Sequence, residues 1–424
     1  MEKRVKQAMS CFLILSGLVP VALNWPACKA QAATISSQDT AALMGGFGGD
    51  TTGGSQATAN QRIHVTNRQE LLAALGKTQN TTPKVIYVSG TIDMNTDATG
   101  HKITAAEYAQ GTGYQLATYL KTYDPKVWGK KEPSGKQEAA RLAAQKKQAA
   151  QIEVHIPSNT TIIGEKGAVI AGGAFIIEGE NVIIRQLTFQ APYDEFPQWD
   201  PKDGTSGNWN SQYDALSIQG AKNVWLDHNT FEDGPHLDQV KDTEFGREYQ
   251  HHDGLTDITN GADKVTISNN RYQNHDKTIL IGSSDKKTSD RGKLHVTLVG
   301  NLFENTVQRT ARVRYGQVQF VNNLYRNPDS THYSFHYAWG LGKEAQIDAQ
   351  SNVFDLPKVA AKKLVKRFGG KELVDRDTLM NGQHIDLAKL TGTRAVNWTP
   401  PKVTQVLAST QVADFVSQHA GAEH

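Results

Sequence analysis

Apolar and polar residues alternate in a pattern that recurs five times after residue 220. Each copy begins with an aliphatic residue, which is followed by four residues, an asparagine, any residue and then phenylalanine or tyrosine. The copies occupy residues 224–231, 265–272, 296–303, 318–325 and 347–354. Alternation with a period of two predicts short strands that bury one face.

The spacing of the copies is uneven. Their asparagines lie 41, 31, 22 and 29 residues apart, at Asn229, Asn270, Asn301, Asn323 and Asn352. A fixed strand and bend, separated by loops of variable length, is typical of a solenoid. Asparagine suits a tight bend, because it tolerates left-handed backbone and hydrogen-bonds nearby backbone. We therefore predict an all-β fold, a single-stranded right-handed parallel β-helix with long loops, an asparagine ladder and aromatic rings stacked inside the tube.

An antiparallel sandwich is the alternative fold. It would need paired hairpin turns between its strands. Asn-Gly and Asp-Gly pairs, the strongest signals for such turns, are scarce inside the repeats. The parallel β-helix is therefore favoured.

The segments that flank the repeats predict other elements. Upstream, the pattern predicts a helix over residues 68–75 and a strand over 84–88. Residues 104–151 are dense in strong helix formers and predict a helical insertion. The repeat fades after residue 357, so we expect 358–424 to pack on the solenoid or to cap its end, because an open turn would expose strand edges.

The first 32 residues have the features of a secretory signal peptide. A basic start is followed by an apolar run over 11–23 and by small residues at Ala30 and Ala32. The run is too short to span a bilayer. Cleavage would remove Cys11 and Cys28 and leave 33–424 as a single domain, so we expect a secreted, extracellular protein without a membrane anchor.

The overall charge excludes one class of partner. The whole chain has a formal net charge of +2, and the predicted signal peptide carries +3 of it, so the mature chain would have about −1. The mature chain has no overall excess of positive charge that would attract nucleic acid. Any affinity for a polyanion must come from a local cluster, and we expect the mature chain to act as a monomer.

Carboxylates gather where the long loops are expected. Asp214 precedes an apolar strand, and Asp253 and Asp257 flank the segment Gly254-Leu255-Thr256. If these loops begin successive turns of a solenoid, the three carboxylates can meet and bind a hard cation such as calcium. Acidic loop residues are also ordinary solvated turn formers, so both interpretations stay open on the residues alone.

Cations follow on the same side of the predicted tube, at Lys277, Arg309, Arg312 and Arg314. Arg312 and Arg314 share a face, since side chains alternate along a strand. Exposed cations are most often plain surface charges. Cations opposite carboxylates, however, suit a ligand with regularly spaced carboxylates that a metal partly bridges.

The histidines favour structural roles. His228, His236, His251 and His252 lack the close spacing of metal ligands. Asp227 and His228 are adjacent, and strand alternation predicts that they lie on opposite faces. That placement argues against a catalytic Asp–His pair.

Four segments of the chain read NVWLDHNTF, YQHHDGLTD, HDKTILIGSSD and VQRTARVRYGQV, over 223–231, 249–257, 275–285 and 307–318. Together they resemble polysaccharide lyase family 1, the pectate lyases. The resemblance is greatest to the secreted bacillus-type enzymes and covers most of the mature chain. It implies calcium-dependent cleavage of α-1,4-linked polygalacturonate by β-elimination, which releases unsaturated oligogalacturonides.

The same resemblance assigns roles to individual residues. Asp214, Asp253 and Asp257 match the primary calcium ligands, and Asp203 is a candidate for an additional calcium. Arg309 matches the arginine that removes a proton, which implies an alkaline optimum because arginine is otherwise protonated. The cations that bind the uronate carboxylate are matched by Lys277 and Arg314.

One departure and three alternatives remain. Thr310-Ala311 replaces the pairing with proline that is common in the family, which leaves the rigidity of this loop open. A pectin lyase and a polygalacturonase would have the same fold, the latter with paired carboxylates as catalysts. A non-catalytic polysaccharide-binding β-helix is the third alternative.

Overall fold

Three long stacks of parallel strands wind the chain into a solenoid. The computed structural model describes residues 39–238 and 242–423, so the predicted signal peptide lies outside the described residues. Sheet 1 contains Glu153–Ile156, Ala174–Ile177, Leu216–Gln219, Gly254–Thr259, the end of Arg271–Ile281, Arg312–Val313, Trp339–Leu341 and Val365–Arg367.

The other two sheets follow sheet 1 in every turn. Sheet 2 contains Arg62–Val65, Lys84–Val88, Thr160–Gly164, Val182–Arg185, Lys222–Asp227, Asp263–Ser268, His295–Val299, Gln317–Val321, Gln346–Gln350 and Glu372–Arg376. Sheet 3 contains Thr91–Asp93, Val169–Ala171, Thr188–Gln190, Thr230–Glu232, the start of Arg271–Ile281, Leu302–Gln308, Leu324–Arg326, Val353–Asp355 and Thr378–Met380. The architecture is a parallel β-helix, and the predicted fold class is confirmed.

Short antiparallel strands and helices decorate the solenoid. The antiparallel pairs are Gln198–Asp200 with Asn208–Asn210, Thr243–Glu244 with Arg247–Glu248, and Thr378–Met380 with Gln383–Ile385. The α-helices are Arg68–Leu75, Ala105–Ala109, Leu116–Tyr123, Pro125–Trp128, Lys136–Ile152, Leu387–Thr391 and Ser409–His419, and 3₁₀-helices span Ala41–Leu43, Ala59–Gln61, Thr288–Asp290 and Ala361–Lys363. The helix predicted at 68–75 and the strand predicted at 84–88 are confirmed. Within the described ranges, every helix is too short or too polar to cross a lipid bilayer.

The five sequence repeats stack in exact register. Val224, Val265, Val296, Val318 and Ile347 are successive partners in sheet 2. The asparagines of the repeats are fully buried and form the predicted ladder, in which each backbone N–H and side-chain amide donates to the next Oδ1 at 2.8–3.1 Å. The ladder thus satisfies polar groups that would otherwise be buried without a partner.

One detail of the bend differs from the prediction. The left-handed backbone belongs to the residue before each ladder asparagine, at His228, Asn269, Gly300, Asn322 and Ser351. The ladder asparagine therefore supplies the hydrogen bonds, and its predecessor supplies the reversal of the chain. Glycine or a residue that tolerates positive φ is needed only at that preceding position.

Aromatic rings stack along the inside of the tube, as predicted. Phe189, Phe231, Tyr272, Phe303, Tyr325 and Phe354 follow one another with ring centroids 4.4–5.2 Å apart and nearly parallel planes. They belong to one continuous apolar core together with the inward-facing aliphatic residues of all three sheets. Burial of this core is the main favourable term in the stability of the solenoid.

The chain ends cover two of the three sheets. On sheet 2, the backbone N–H groups of Phe47 and Gly48 donate to Thr297 Oγ1 and Thr266 Oγ1 at 3.0 and 2.9 Å. Helix Ser409–His419 packs its buried residues on the outward-facing residues of sheet 3, namely Leu302, Leu324, Val353 and Leu379. The loops that precede sheet 1 run over the remaining side.

The positions of Asp227 and His228 differ from the prediction that the two side chains lie on opposite faces of the strand. His228 Nδ1 lies 2.8 Å from Asp227 Oδ2, so the two side chains do not diverge. The strand ends at Asp227, and the left-handed conformation of His228 turns its ring back. Asp227 also contacts Arg185 and Ser268 on the sheet 2 side, which fits a structural role.

The asparagine ladder predicts a large loss of stability on truncation. Asn301→Ala leaves the backbone N–H of Asn270 and the carbonyl of Ile267 buried without their partners. The free energy of unfolding should fall by about 3 kcal/mol, since each unpaired buried group costs about 1–3 kcal/mol. Urea denaturation measures this loss, and Asn60→Ala at an exposed position is the matched control. Equal stability of the two variants would contradict a structural ladder.

Candidate active site

Two loops of adjacent turns deliver the predicted carboxylates to the start of sheet 1. Asp214 Oδ1 accepts a hydrogen bond from the backbone N–H of Gly254 at 2.9 Å, and Ser217 Oγ donates to Asp214 Oδ2 at 2.6 Å. Ser217 is the strand partner of Asp257 in the next turn. The stacking of the turns therefore brings Asp214 and Asp257 together from positions 43 residues apart in the sequence.

Gly254 lies between these carboxylates and permits their approach. A Cβ atom on Gly254 would lie 2.6 Å from Asp257 Oδ1 and 2.8 Å from Asp214 Oδ1, which is closer than such atoms can come. Asp253, the preceding residue, pairs its Oδ1 with Lys277 Nζ at 2.6 Å. The carboxylates of Asp214 and Asp257 thus lie close to Gly254, and the carboxylate of the preceding residue, Asp253, is bound to a cation.

The three carboxylates repel one another. Burial, with a further contribution from Asp253, raises the pKa of Asp214 to about 6. Burial also raises the pKa of Asp257 well above its ordinary value, and both Asp214 and Asp253 add to this effect. The excess negative charge and the set of carboxylate oxygens fit a hard divalent cation such as calcium.

A second acidic cluster is connected to the backbone of Asp253 through His275. Among the described residues, Asp233, Asp238 and His252 bring ligand atoms within 4.8 Å of one another, a spacing that Asp214, Asp253 and Asp257 do not reach together. The groups of this second cluster already have partners. The ring nitrogens of His252 lie 2.8 and 2.7 Å from the carbonyls of Pro192 and His236.

His275 occupies the centre of this second cluster. Its Nδ1 atom lies 2.5 Å from Asp233 Oδ1 and 3.3 Å from Asp238 Oδ2. Burial by itself lowers the pKa of His275, but the two carboxylates outweigh burial and raise the pKa to about 10. Protonated His275 thus balances the negative charge of Asp233 and Asp238, as a metal ion does in other acidic clusters.

Arg309 lies near Asp257, two turns further along the solenoid. Its charge lowers the pKa of Asp257, against the larger effects of burial and the neighbouring carboxylates. Hydrogen bonds fix its backbone to both adjacent turns, from Ile279 N–H to Arg309 O at 2.7 Å and from Thr310 N–H to Ala338 O at 2.8 Å. The peptide bond between Thr310 and Ala311 is cis. Hydrogen bonds thus hold this loop in place, although Thr310 is followed by alanine and not by proline.

The two remaining arginines extend the cationic side of the site. Val313 is buried between them, so Arg312 and Arg314 share the outer face, as predicted. Arg314 Nε donates to Asp285 Oδ1 at 2.7 Å, and its Nη1 donates to the carbonyl of Gly282 at 2.8 Å. The Arg312 guanidinium lies 4.3 Å from the ring centre of Phe368.

Asp203 stands apart from the three carboxylates. It is exposed in the loop between strands Gln198–Asp200 and Asn208–Asn210, where its backbone bonds to Asp200 and Asn208. The helical segment anchors the chain just before strand Gln198–Asp200. Arg141 is buried, pairs with Glu138 at 2.7 Å and donates to the carbonyl of Phe196 at 2.8 Å. The approach to Asp214 is thereby tied to the helices that precede it.

Sequence reasoning missed the groups that hold the site together. His275 and Asp285 contact predicted residues or their backbone, and Asp233 holds His275, yet none of the three belongs to a recognisable spacing. Only the segment His275-Asp276-Lys277, quoted for its resemblance, marked this region. The hydrogen bonds join residues that lie 22 to 42 positions apart in the sequence, which explains why no local pattern predicts them.

The fold is that of a β-helical polysaccharide lyase. A family profile described as pectate lyase matches residues 126–424. The pectate lyase of Bacillus subtilis (strain 168) is 48% identical over 424 residues, covering 99% of each chain, and pectate lyase A of Dickeya chrysanthemi is 34% identical over 385 residues, covering 88% of this chain and 86% of the relative. A solved structure of a pectate lyase bound to a hexasaccharide is 49% identical, with a TM-score of 0.89, and covers 91% of this chain and 98% of that one.

The chain belongs to the pectate lyase family. The predicted family, the parallel β-helix and the pectate lyase function are thereby confirmed. The calcium ion and the role of each residue remain predictions.

The raised pKa of Asp214 predicts how pH affects the stability of the metal-free protein. The folded state binds this proton more tightly than the unfolded chain does, so the free energy of unfolding should fall as pH rises from 3.8 to about 6. Asp214→Asn removes the repulsion and should raise the free energy of unfolding at pH 8 by about 1–2 kcal/mol. This value is smaller than the full pKa shift implies, because solvent partly screens the side chain of Asp214. The gain should be small at pH 4. Urea denaturation in the presence of a chelator measures both values.

Asp263→Asn is the control of opposite sign. Hydrogen bonds from His295 outweigh burial and lower the pKa of Asp263, so this variant should lose stability at pH 7. Asp214→Asn would contradict the predicted repulsion if it were as stable as the wild type, or less stable, at pH 8.

Proposed function

We propose that this chain is a calcium-dependent pectate lyase that cleaves α-1,4-linked polygalacturonate by β-elimination and releases unsaturated oligogalacturonides. One observation carries the proposal, namely that the carboxylates of Asp214 and Asp257 converge at Gly254, next to Asp253 with its partner Lys277 and with Arg309 on a later turn. A polysaccharide with regularly spaced carboxylates suits both parts of this site, since a metal and fixed cations can bind it together. The proposal includes secretion of the mature chain and its action as a monomer.

The metal centre would be built from Asp214, Asp253 and Asp257. Their mutual repulsion supports this assignment, because a divalent cation would relieve it. Calcium bound there would supply electrostatic and Lewis-acid stabilisation of the substrate carboxylate. Asp203, exposed in its loop, would contribute to an additional calcium that binds with the substrate.

The cations would orient the substrate. Lys277 and Arg314 would bind the uronate carboxylate and stabilise the negative charge that develops when C5 loses its proton. Asp285 and the carbonyl of Gly282 use two of the five N–H donors of Arg314, which leaves the others for a ligand. Asp285 would thus hold the guanidinium in a fixed orientation.

Arg309 would act as the base. In its neutral form it would take the proton from C5. The electron pair of the C5–H bond would form the C4–C5 double bond, the bond from C4 to the glycosidic oxygen would break, and water would protonate that oxygen. Because arginine is ordinarily protonated in proteins, the neutral fraction and the rate should rise with pH.

The experiment that tests the proposal follows ultraviolet absorbance during incubation with polygalacturonate. Elimination creates an unsaturated uronate that absorbs, and hydrolysis does not. We expect absorbance to rise faster at alkaline pH, to stop on addition of a chelator and to recover with calcium. A greater rate on methylated pectin, or activity that survives the chelator, would contradict a calcium-dependent pectate lyase.

Arg309→Lys separates proton removal from binding. Lysine keeps the positive charge but changes the position and chemistry of the base. We expect turnover to fall by at least about 10³-fold, within the 10²–10⁴-fold that general-base catalysis typically contributes. Binding of calcium and of an oligogalacturonate should stay close to that of the wild type. Initial rates and calorimetric titration measure the two effects.

Arg291→Lys is the matched control for this substitution. Arg291 is exposed and pairs with Glu344 at 2.6 Å, away from the three carboxylates. It should retain full activity. Wild-type rates for Arg309→Lys would exclude Arg309 as the base.

A further inference from the structure

His275 connects the buried acidic cluster to the predicted metal site. Its side chain is fully buried, and both ring nitrogens have a partner. Nδ1 contacts Asp233 Oδ1 at 2.5 Å, and Nε2 lies 2.9 Å from the backbone carbonyl of Asp253. The histidine therefore contacts the main chain of a predicted calcium ligand.

The same cluster also holds the strand that carries Lys277. The backbone N–H of Asp276 donates to Asp238 Oδ2 at 2.9 Å. The carboxylate of Asp276 accepts from Gln308 Nε2 at 3.0 Å, and Gln308 directly precedes Arg309. Hydrogen bonds from this cluster thus reach Asp276 and Gln308, the residues that directly precede Lys277 and Arg309.

We propose that His275, held by Asp233, is a positioning residue that fixes the carbonyl of Asp253 and so sets the geometry of the calcium ligands. The proposal rests on the calcium-dependent function proposed above. The bond to this carbonyl orients the peptide group between Asp253 and Gly254. The N–H of that same peptide group donates to Asp214 Oδ1, so a single hydrogen bond from His275 would determine the relative placement of two ligands.

The physical argument concerns preorganisation. Carboxylates that repel one another separate unless the backbone holds them in place. Groups that fix metal ligands from outside commonly change metal affinity or activity 10- to 100-fold when they are removed. A buried histidine with two directed hydrogen bonds provides such a fixed support.

Two substitutions separate the two hydrogen bonds of His275. In His275→Gln, the side-chain amide nitrogen can take the place of Nε2 and keep the bond to the carbonyl of Asp253. In His275→Asn, the amide nitrogen takes the place of Nδ1 and keeps the contact with Asp233, but the bond to the carbonyl of Asp253 is lost. Calcium affinity is measured by calorimetric titration of each full-length variant, together with kcat and KM at several calcium concentrations and the melting temperature.

We expect His275→Asn to bind calcium on the order of 10-fold more weakly than His275→Gln does. The activity of His275→Asn should recover in part at high calcium, while KM for polygalacturonate at saturating calcium changes little. Equal calcium affinities in the two variants, or affinities equal to that of the wild type, would overturn the proposal.

Substitutions of His295 are the control that distinguishes positioning of the calcium ligands from a general effect on stability. His295 pairs with Asp263 at 2.6 Å across adjacent turns on the sheet 2 side, away from the carboxylates. His295→Asn and His295→Gln should change the melting temperature without changing the calcium requirement. If the single variants of His275 fail to fold, the pairs Asp233→Asn/His275→Gln and Asp233→Asn/His275→Asn remove a buried charge and allow the same comparison.

The outcomes also separate this proposal from the function on which it rests. A wild-type protein that needs no calcium contradicts the proposed function. A calcium-dependent wild type whose two His275 variants have the same calcium affinity contradicts only the positioning role.

Discussion

The stacking of strands in register is the constraint on which the site depends. Adjacent strands in a sheet lie about 4.8 Å apart, so residues at equivalent positions of successive turns become neighbours whatever the length of the loop between them. The asparagine ladder holds this register inside the tube, because each rung donates to the next and all five are fully buried. A slip of one residue would separate Asp257 from Asp214 and break the ladder at the same time.

The carboxylates at the start of sheet 1 keep an electrostatic imbalance. Several other buried charges form ion pairs, for example Arg141 with Glu138 and Arg185 with Asp227. At the start of sheet 1, burial and repulsion instead raise the pKa values of Asp214 and Asp257. A folded protein tolerates such a cost mainly where a ligand or metal relieves it, which is why strongly shifted carboxylates in a cleft indicate function.

The positions of the loops and of the terminal segments explain why the predicted site lies on the sheet 1 side of the solenoid. The N-terminal segment covers sheet 2 and the C-terminal helix covers sheet 3, through Thr266 and Thr297 on one side and Val412 and Val416 on the other. Long loops precede sheet 1 in the turns that carry Asp214 and Asp253, and the helical segment precedes Glu153–Ile156, whereas Arg271–Ile281 passes from sheet 3 to sheet 1 without interruption. This uninterrupted strand brings Lys277 up to the carboxylates of the preceding turn.

The sequence by itself determined the repeating strand, the ladder and the aromatic stack, because these depend on a short pattern that each turn repeats. It also predicted the acidic and basic residues that meet at the start of sheet 1, since equivalent positions of adjacent turns must be neighbours. Only the tertiary structure decided which residue of the bend is left-handed, that His228 turns back onto Asp227, and that His275 reaches the carbonyl of Asp253. These features depend on the path of each loop and on contacts between distant residues, and no local periodicity encodes them.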